Sequence, residues 1–356
     1  MTRVAVVGAG VVGLSTAVAL LERGMEVTVY ERGTPGGGQS AGVTRIFRFN
    51  HDDPRLVSLA LDAMAVWREW EEQHSRRLVG EEGVLVAGER ARPRSELLRS
   101  AGLEVRWADT VAQFKRLPVV EPFKGDVLVD PGGAIRAAET IEALAGRVEG
   151  SLRRAEALAV QPVGDEVEVL TPQGSRRHDA AVVCAGQDSA RLARQLGVEL
   201  PVELSMHLRV TFRVREGNWS SMACLQDSSG EYGETVYGAP APSGELYAVG
   251  LAGDAGVVDG APLPSLDELR RRASAYVSRG LPGLDPEPVD DVTCWVTELP
   301  WGPDGVAAWQ AGKVTFVAGH NLFKLAPLLG RLIAAGVSEG TMPELLTPGN
   351  ELGRPA

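Results

Sequence analysis

Cysteine is scarce: Cys184, Cys224 and Cys294 are the only three in 356 residues. They are widely spaced, with no C-x-x-C pair. An odd set at this spacing excludes a disulfide framework and a zinc site and suits a reducing, cytoplasmic compartment. Histidine is equally sparse, five scattered residues that indicate no metal centre. Positive charge is outweighed, 36 Lys and Arg against 47 Asp and Glu, giving a net charge of −11. Nucleic-acid binding therefore lacks its electrostatic footing. There is no low-complexity tract and no internal repeat. The one long stretch without charge, Val4 to Leu21, could pass for a membrane or export segment, but it holds three glycines, Ser15 and Thr16 and meets Glu22-Arg23 at once. That composition predicts neither span nor signal.

Glycine, by contrast, is abundant at 42 residues. Three of them, Gly8, Gly10 and Gly13, form G-x-G-x-x-G directly after the β-branched run Val4 to Val7. The first permits a tight turn, the second removes a Cβ that would block a pyrophosphate, and the third lets a helix pack close to the strand. Apolar residues through Leu21 form that helix, and Gly24 is placed to end it. A second strand, Val27 to Tyr30, delivers Glu31 eighteen residues after Gly13, near the spacing expected of an acid on a ribose 2′-hydroxyl. Strand, loop, helix, strand and acid in this order predict dinucleotide binding.

The chain is long enough for two domains. After the glycine-rich segment Thr34 to Gly42 come Thr44-Arg45-Ile46-Phe47-Arg48. Two arginines three apart could clamp a carboxylate or phosphate, or could be solvated charges on a loop. Asp53-Pro54 opens a helix whose Leu56, Leu59, Ala63, Trp67 and Trp70 form its core face. Val167 to Val183 reads as a hairpin around Pro172-Gln-Gly174, its second arm running from His178 to Val183. Leu208 to Val214 alternates as a strand with one wet face. Leu266 to Tyr276 is helical, Val314 to Val317 is a strand leading to Ala318-Gly319-His320, and a closing helix from Leu325 stops at Gly336.

Taken together, these residues resemble the D-amino-acid-oxidase-like flavoproteins, most of all the monomeric sarcosine oxidase and glycine oxidase groups. The resemblance spans nearly the whole chain but is specific in five places: the N-terminal fingerprint; Thr44 to Arg48; Val182 to Gly186; Tyr237-Gly238-Ala239-Pro240; and Cys294 onward through Ala318-Gly319 to Phe323-Lys324. It implies an α/β fold in which a discontinuous Rossmann-type FAD-binding domain of the GR2 kind (1–82, 132–200 and 300–345) carries an antiparallel-sheet α+β substrate domain (83–131 and 201–299). Expected cofactor contacts are Gly8, Gly10, Val11, Val12, Gly13, Glu31, Arg32, Ser40, Thr44, Arg45, Ala185, Gly186, Cys294, Gly319, His320, Asn321, Leu322, Phe323 and Lys324.

By the same resemblance Arg45 lies against the flavin, and Arg48 with Lys324 holds a substrate carboxylate. Tyr237 lines the substrate cavity, and Cys294 matches the cysteine that in sarcosine oxidase carries the flavin through a thioether; it could equally be a small buried hydrophobe. Cys184 and Cys224 read as core. Two positions depart from the pattern: the oxygen-activating lysine of sarcosine oxidase falls at Ala248 and a neighbouring histidine at Ala252. The implied activity is FAD-dependent oxidation of glycine or an N-substituted glycine, with hydride transfer to flavin N5, imine hydrolysis and reduction of O2 to H2O2. A dehydrogenase using another acceptor, a pyridine-nucleotide-dependent aromatic hydroxylase and a non-catalytic dinucleotide-binding protein are the rivals. No nucleic-acid or membrane partner is expected, and the oligomeric state is open, with a monomer compatible.

Overall fold

A computed structural model describes residues 1–215, 221–251 and 265–356. Six strands form the first sheet, in the order Val306–Ala311, Val314–Gly319, Ala180–Val183, Arg3–Val7, Glu26–Glu31 and Leu152–Arg154. All neighbours are parallel except the first pair, which is an antiparallel hairpin. The N-terminal strand is buried on both faces, as its unbroken apolar run requires: Val4 and Val6 join one hydrophobic cluster, Ala5 and Val7 another. On the first side pack the helices Val11–Glu22, Ala137–Arg147 and Ala326–Glu339.

The opposite side is covered differently from the sequence expectation. Glu166–Thr171 does pair in a hairpin with Gly174–His178, and Ala159–Val163 makes this a three-stranded antiparallel sheet. The hairpin arm ends at His178, however. Ala180–Val183 is a separate strand that inserts between Arg3–Val7 and Val314–Gly319. An apolar alternation alone cannot reveal that the chain changes sheets at Asp179, whose carboxylate accepts from the Arg3 backbone N–H and the Arg3 guanidinium.

Eight strands form the second large sheet: Leu284–Glu298, Glu203–Val214, Leu246–Leu251, Val236–Pro240, Cys224–Asp227, Val84–Ala87, Val127–Asp130 and Arg106–Trp107. Neighbours are antiparallel with one exception. Cys224–Asp227 and Val84–Ala87 run parallel, joining strands from the two separate visits of the chain. The back of this sheet carries Leu208, Val210, Phe212, Tyr247 and Val249, covered by Leu269, Ala273, Tyr276 and Val277 of the helix Leu266–Gly280. The other face looks toward the six-stranded sheet. Among the described residues no helix is long and apolar enough to cross a membrane.

The closing helix corrects another expectation. It runs through Gly336 to Glu339, and Gly340, at φ +76°, supplies the left-handed stop. Gly336 sits inside because Met342 packs onto its bare Cα. Gly330 on the same helix lets it lie against the fingerprint helix, since a Cβ there would come 2.6 Å from the Ser15 carbonyl. Gly330→Val is therefore expected to destabilise the fold by about 1–3 kcal/mol through overpacking. A thermal melt no lower than wild type would contradict this close contact.

Candidate functional site

The sharp turn after the first strand sets up the site. Gly8 adopts φ +100°, and a Cβ on it would collide with the Cys184 carbonyl at the end of the neighbouring strand. Gly13 lies against the Gly8 carbonyl, so helix and strand approach as closely as backbones allow. Gly10 behaves differently: a Cβ there would meet only the Ser40 hydroxyl, 3.4 Å away, leaving the position open to a ligand. Ser40 Oγ accepts from the Val11 N–H at 2.9 Å, and Glu31 accepts from the N–H groups of Ala9 (2.8 Å) and Gly33 (2.7 Å).

A cavity of ≈ 1120 Å³ extends from this turn between the two large sheets. It exceeds the roughly 300–1,000 Å³ common for drug-sized ligands. Of the residues expected at the cofactor, all but Gly13 line it, among them Gly8, Gly10, Val11, Val12, Glu31, Arg32, Ser40, Thr44, Arg45, Ala185, Gly186, Cys294 and the run Gly319 to Lys324. Arg48, Tyr237 and Ala248 line the same cavity, and so does Cys184, which is only half-buried rather than core. Ala252 lies outside the described residues.

Two of the lining residues carry buried polar atoms without a protein partner, Thr44 Oγ1 and Gln226 Oε1. Such atoms are costly unless a ligand or water meets them. Together with the open position at Gly10, they fit a long polar cofactor laid along the cavity.

Arg45 is held by backbone carbonyls: it donates to Thr44 O at 2.8 Å, to Gln39 O at 2.9 Å and to Ala41 O. Its guanidinium lies 5.6 Å from the Phe323 ring centre. Arg209 donates to the same Ala41 carbonyl at 2.7 Å. Burial first, and then Arg209, lower Arg45 to about 9, which leaves it charged at neutral pH. The strand Glu203–Val214 carrying Arg209 therefore has no wet face at this point. Arg209 and Thr211 are each only 8% exposed and share the cavity-facing side. Tyr237, directly across the sheet, lies over Gly250, where any Cβ would collide with its ring. Cys294 pairs in register with His207 and is 9% exposed.

Arg48 and Lys324 come together around Asp304, a partner that the sequence did not foreshadow. Arg48 binds Asp304 Oδ2 at 2.5 Å and donates to the Asn50 carbonyl. Lys324 Nζ donates to Asn321 O at 2.8 Å and stands 3.6 Å from Asp304 Oδ1. His51 Nδ1 lies 3.0 Å from Asp304 Oδ2 and Asn321 Nδ2 donates to Oδ1 at 2.9 Å. Burial by itself would raise the Asp304 carboxyl, but Arg48, Lys324 and His51 together hold it well below its usual range. Burial and Arg48 push His51 down to about 3, so its ring is neutral. Burial lowers Lys324 from 10.5 to about 7 against the pull of Asp304. A second group, His207, His320 and Glu298, lines the cavity alongside, the two rings 5.0 Å apart at right angles. His207 holds the Glu298 carboxyl down, and burial with His207 lowers His320 to about 4.

Residues 3–335 match the family described as FAD dependent oxidoreductase. The chain belongs to that family. FAD is its cofactor, and the glycine turn, Glu31 and the unpartnered Thr44 hydroxyl are the features that fit it. Solved structures of the same fold include NikD, "an unusual amino acid oxidase essential for nikkomycin biosynthesis", at 24% identity over 98% of each chain with a TM-score of 0.85. The glycine oxidase of Geobacillus kaustophilus is 21% identical over 98% of this chain and 99% of its own, TM-score 0.78. The L-proline dehydrogenase of P. horikoshii is 18% identical over 100% and 99%, TM-score 0.84. At these identities the likeness to the oxidoreductases of known structure is one of fold. Comparison with curated protein sequences finds no match.

Proposed function

We propose that this oxidoreductase acts on the C–N bond of a small carboxylated amine, glycine or an N-substituted glycine of the sarcosine kind, and produces the imine, which water hydrolyses. The observation that carries this reading is the meeting of Arg48 and Lys324, both buried, in the cavity that Gly10 and Glu31 also line. Two buried cations at one place suit a carboxylate, through the planar fork of Arg48 and the point charge of Lys324. Bound FAD supplies a hydride acceptor for the carbon next to the amine.

The protein's part is position and charge. Arg48 and Lys324 fix the carboxylate and so place the adjacent carbon. Tyr237, Gln226, Val86 and Ala239, on the cavity face of the eight-stranded sheet, receive the amine substituent. The helix Ala326–Glu339 offers its N-terminal dipole to negative charge developing on the cofactor. In this reading 1–82, 132–200 and 300–345 form the cofactor lobe and 83–131 with 201–299 the substrate lobe, acting in the cytoplasm. The names of the structural neighbours, an amino acid oxidase, a glycine oxidase and a proline dehydrogenase, agree with an amino-acid substrate.

The electron acceptor in this reading is O2, giving H2O2. A dehydrogenase is favoured by one observation, the uncharged Ala248 on the cavity face. Arg209 stands on that same face one strand away and keeps positive charge there.

The test exposes the yellow protein without air to glycine, sarcosine, proline and N-carboxymethyl amines of increasing size. Bleaching by one of these, with stoichiometric peroxide on admitting air, supports the oxidase. Bleaching without peroxide selects the dehydrogenase, and no bleaching by any carboxylated amine refutes the substrate class. For Cys294 the proposal is a thioether to the flavin. Acid precipitation is expected to leave the colour in the pellet, and full release of the colour would show Cys294 to be a packing residue only.

A further inference from the structure

Asp304 stands between the two cations assigned to the substrate, and its position is fixed from outside the cluster. Its loop is tied to the C-terminal segment by Val306 N–H to Leu352 O (3.1 Å) and Trp301 Nε1 to the same carbonyl (3.0 Å). On the other side, His320 N–H donates to Gly305 O at 3.1 Å. Gly353 packs so tightly that a Cβ on it would lie 2.6 Å from the Asp304 carbonyl. With its backbone pinned and Asn321 on Oδ1, Asp304 is held beside Arg48 and Lys324, so an arriving substrate shares the two cations with it.

The other charges nearby lie outside the contacts of Asp304. Asp52 takes both Arg94 (2.7 Å) and Arg90 (3.2 Å), a group that keeps one positive charge of its own and is open to solvent at Arg90. Asp130 is filled by the N–H groups of Phe49, Asn50 and Gly132 and by the Asn50 amide. His51 and His320 are neutral near pH 7, and Glu298 faces the two histidines. Arg48 and the Lys324 ammonium minus Asp304 leave one positive charge. One carboxylate brings the buried cluster to neutrality; a second would enter uncompensated, which burial makes expensive.

We propose that Asp304 is a built-in counter-ion that sets the capacity of this site at one carboxylate, so that monocarboxylated amines are selected over dicarboxylated ones. This rests on the reading of Arg48 and Lys324 as the substrate's grip. Asp304 is thereby a specificity-determining residue, acting through the two cations.

Calorimetric titration of the FAD-loaded protein with acetate and with oxalate, at about pH 6.5 where both are ionised, tests it without turnover. Wild type should bind acetate at least about tenfold more tightly than oxalate. Asp304→Asn should reverse the order, and Asp304→Glu should keep it. Oxalate bound as tightly as acetate by wild type overturns the proposal, whatever the variants do. So does an unchanged order in Asp304→Asn, or a reversal in Asp304→Glu, which would make the effect one of packing. Arg48→Met separates the two readings. If it leaves acetate affinity unchanged, the grip itself is wrong and the proposal falls with it. If it abolishes acetate binding while Asp304→Asn keeps the wild-type order, the grip stands and only the role of Asp304 is lost.

Discussion

Arg48→Met is expected to raise KM for a carboxylated amine by roughly 10- to 150-fold, the equivalent of losing a charge-assisted grip worth about 1.5–3 kcal/mol. It should also weaken the fold, for a reason separate from the substrate. Arg48 and Asp304 are a buried pair with side chains each 9% exposed. Removing one partner of such a pair leaves the other charged in a dry place, at a cost of about 3–5 kcal/mol. The remaining neighbours of Asp304 are a neutral histidine, an asparagine amide and Lys324 at 3.6 Å, which compensate only in part. The double variant Arg48→Met with Asp304→Ala removes both charges together. It should recover much of the lost stability in a denaturant melt while leaving KM as high as in the single variant. A single variant with unchanged KM would mean Arg48 does not hold the carboxylate. A double variant no more stable than the single would mean the pair is not what Arg48 contributes to folding.

That pairing marks the boundary of what the sequence carries. The glycine turn was legible because its causes are local. Gly8, Gly10 and Gly13 lie within six positions, and each has the close approach or open space that the spacing implied. The Asp53 cap is local in the same sense, its Oδ1 accepting from the Arg55 N–H at 2.9 Å. Arg48 and Asp304 are 256 positions apart, and Asp304 sits in the turn Trp301-Gly-Pro-Asp-Gly305. Nothing in that pentapeptide points to a buried carboxylate. Arg209 was obscured by its own regularity. In Leu208 to Val214 the alternation of Arg209, Thr211 and Arg213 with apolar residues suggests a solvated face, yet at Arg209 and Thr211 that face is buried beside the cavity between two sheets. Only the packing of the Gln39 to Ala41 loop, which draws Arg45 and Arg209 to one carbonyl, shows that it is enclosed. The hairpin read through Val183 failed for a related reason: alternation fixes a strand's faces but not the sheet it joins.

Lys324 should impose opposite pH trends on binding and on stability. With its amine lowered to about 7 by burial, the ammonium is present below that pH and lost above it. Acetate affinity is therefore expected to fall from pH 7 to pH 9, by up to about tenfold per unit until Arg48 alone sets the floor. Neutral His51 and His320 titrate far below this window, at about 3 and about 4, and Asp304 stays ionised throughout. Acetate has no amine, so the trend is free of the substrate's own titration. Lys324→Arg, which keeps its charge, should flatten it. The unfolded lysine titrates at 10.5, so between about 7 and 10.5 the unfolded state binds more protons than the folded one, and stability rises with pH. Measured against Lys324→Met, where position 324 carries no proton, wild type should gain stability from pH 7 to pH 9 while it loses acetate. A loss of both together would assign the pH dependence to a different group and remove Lys324 from the grip.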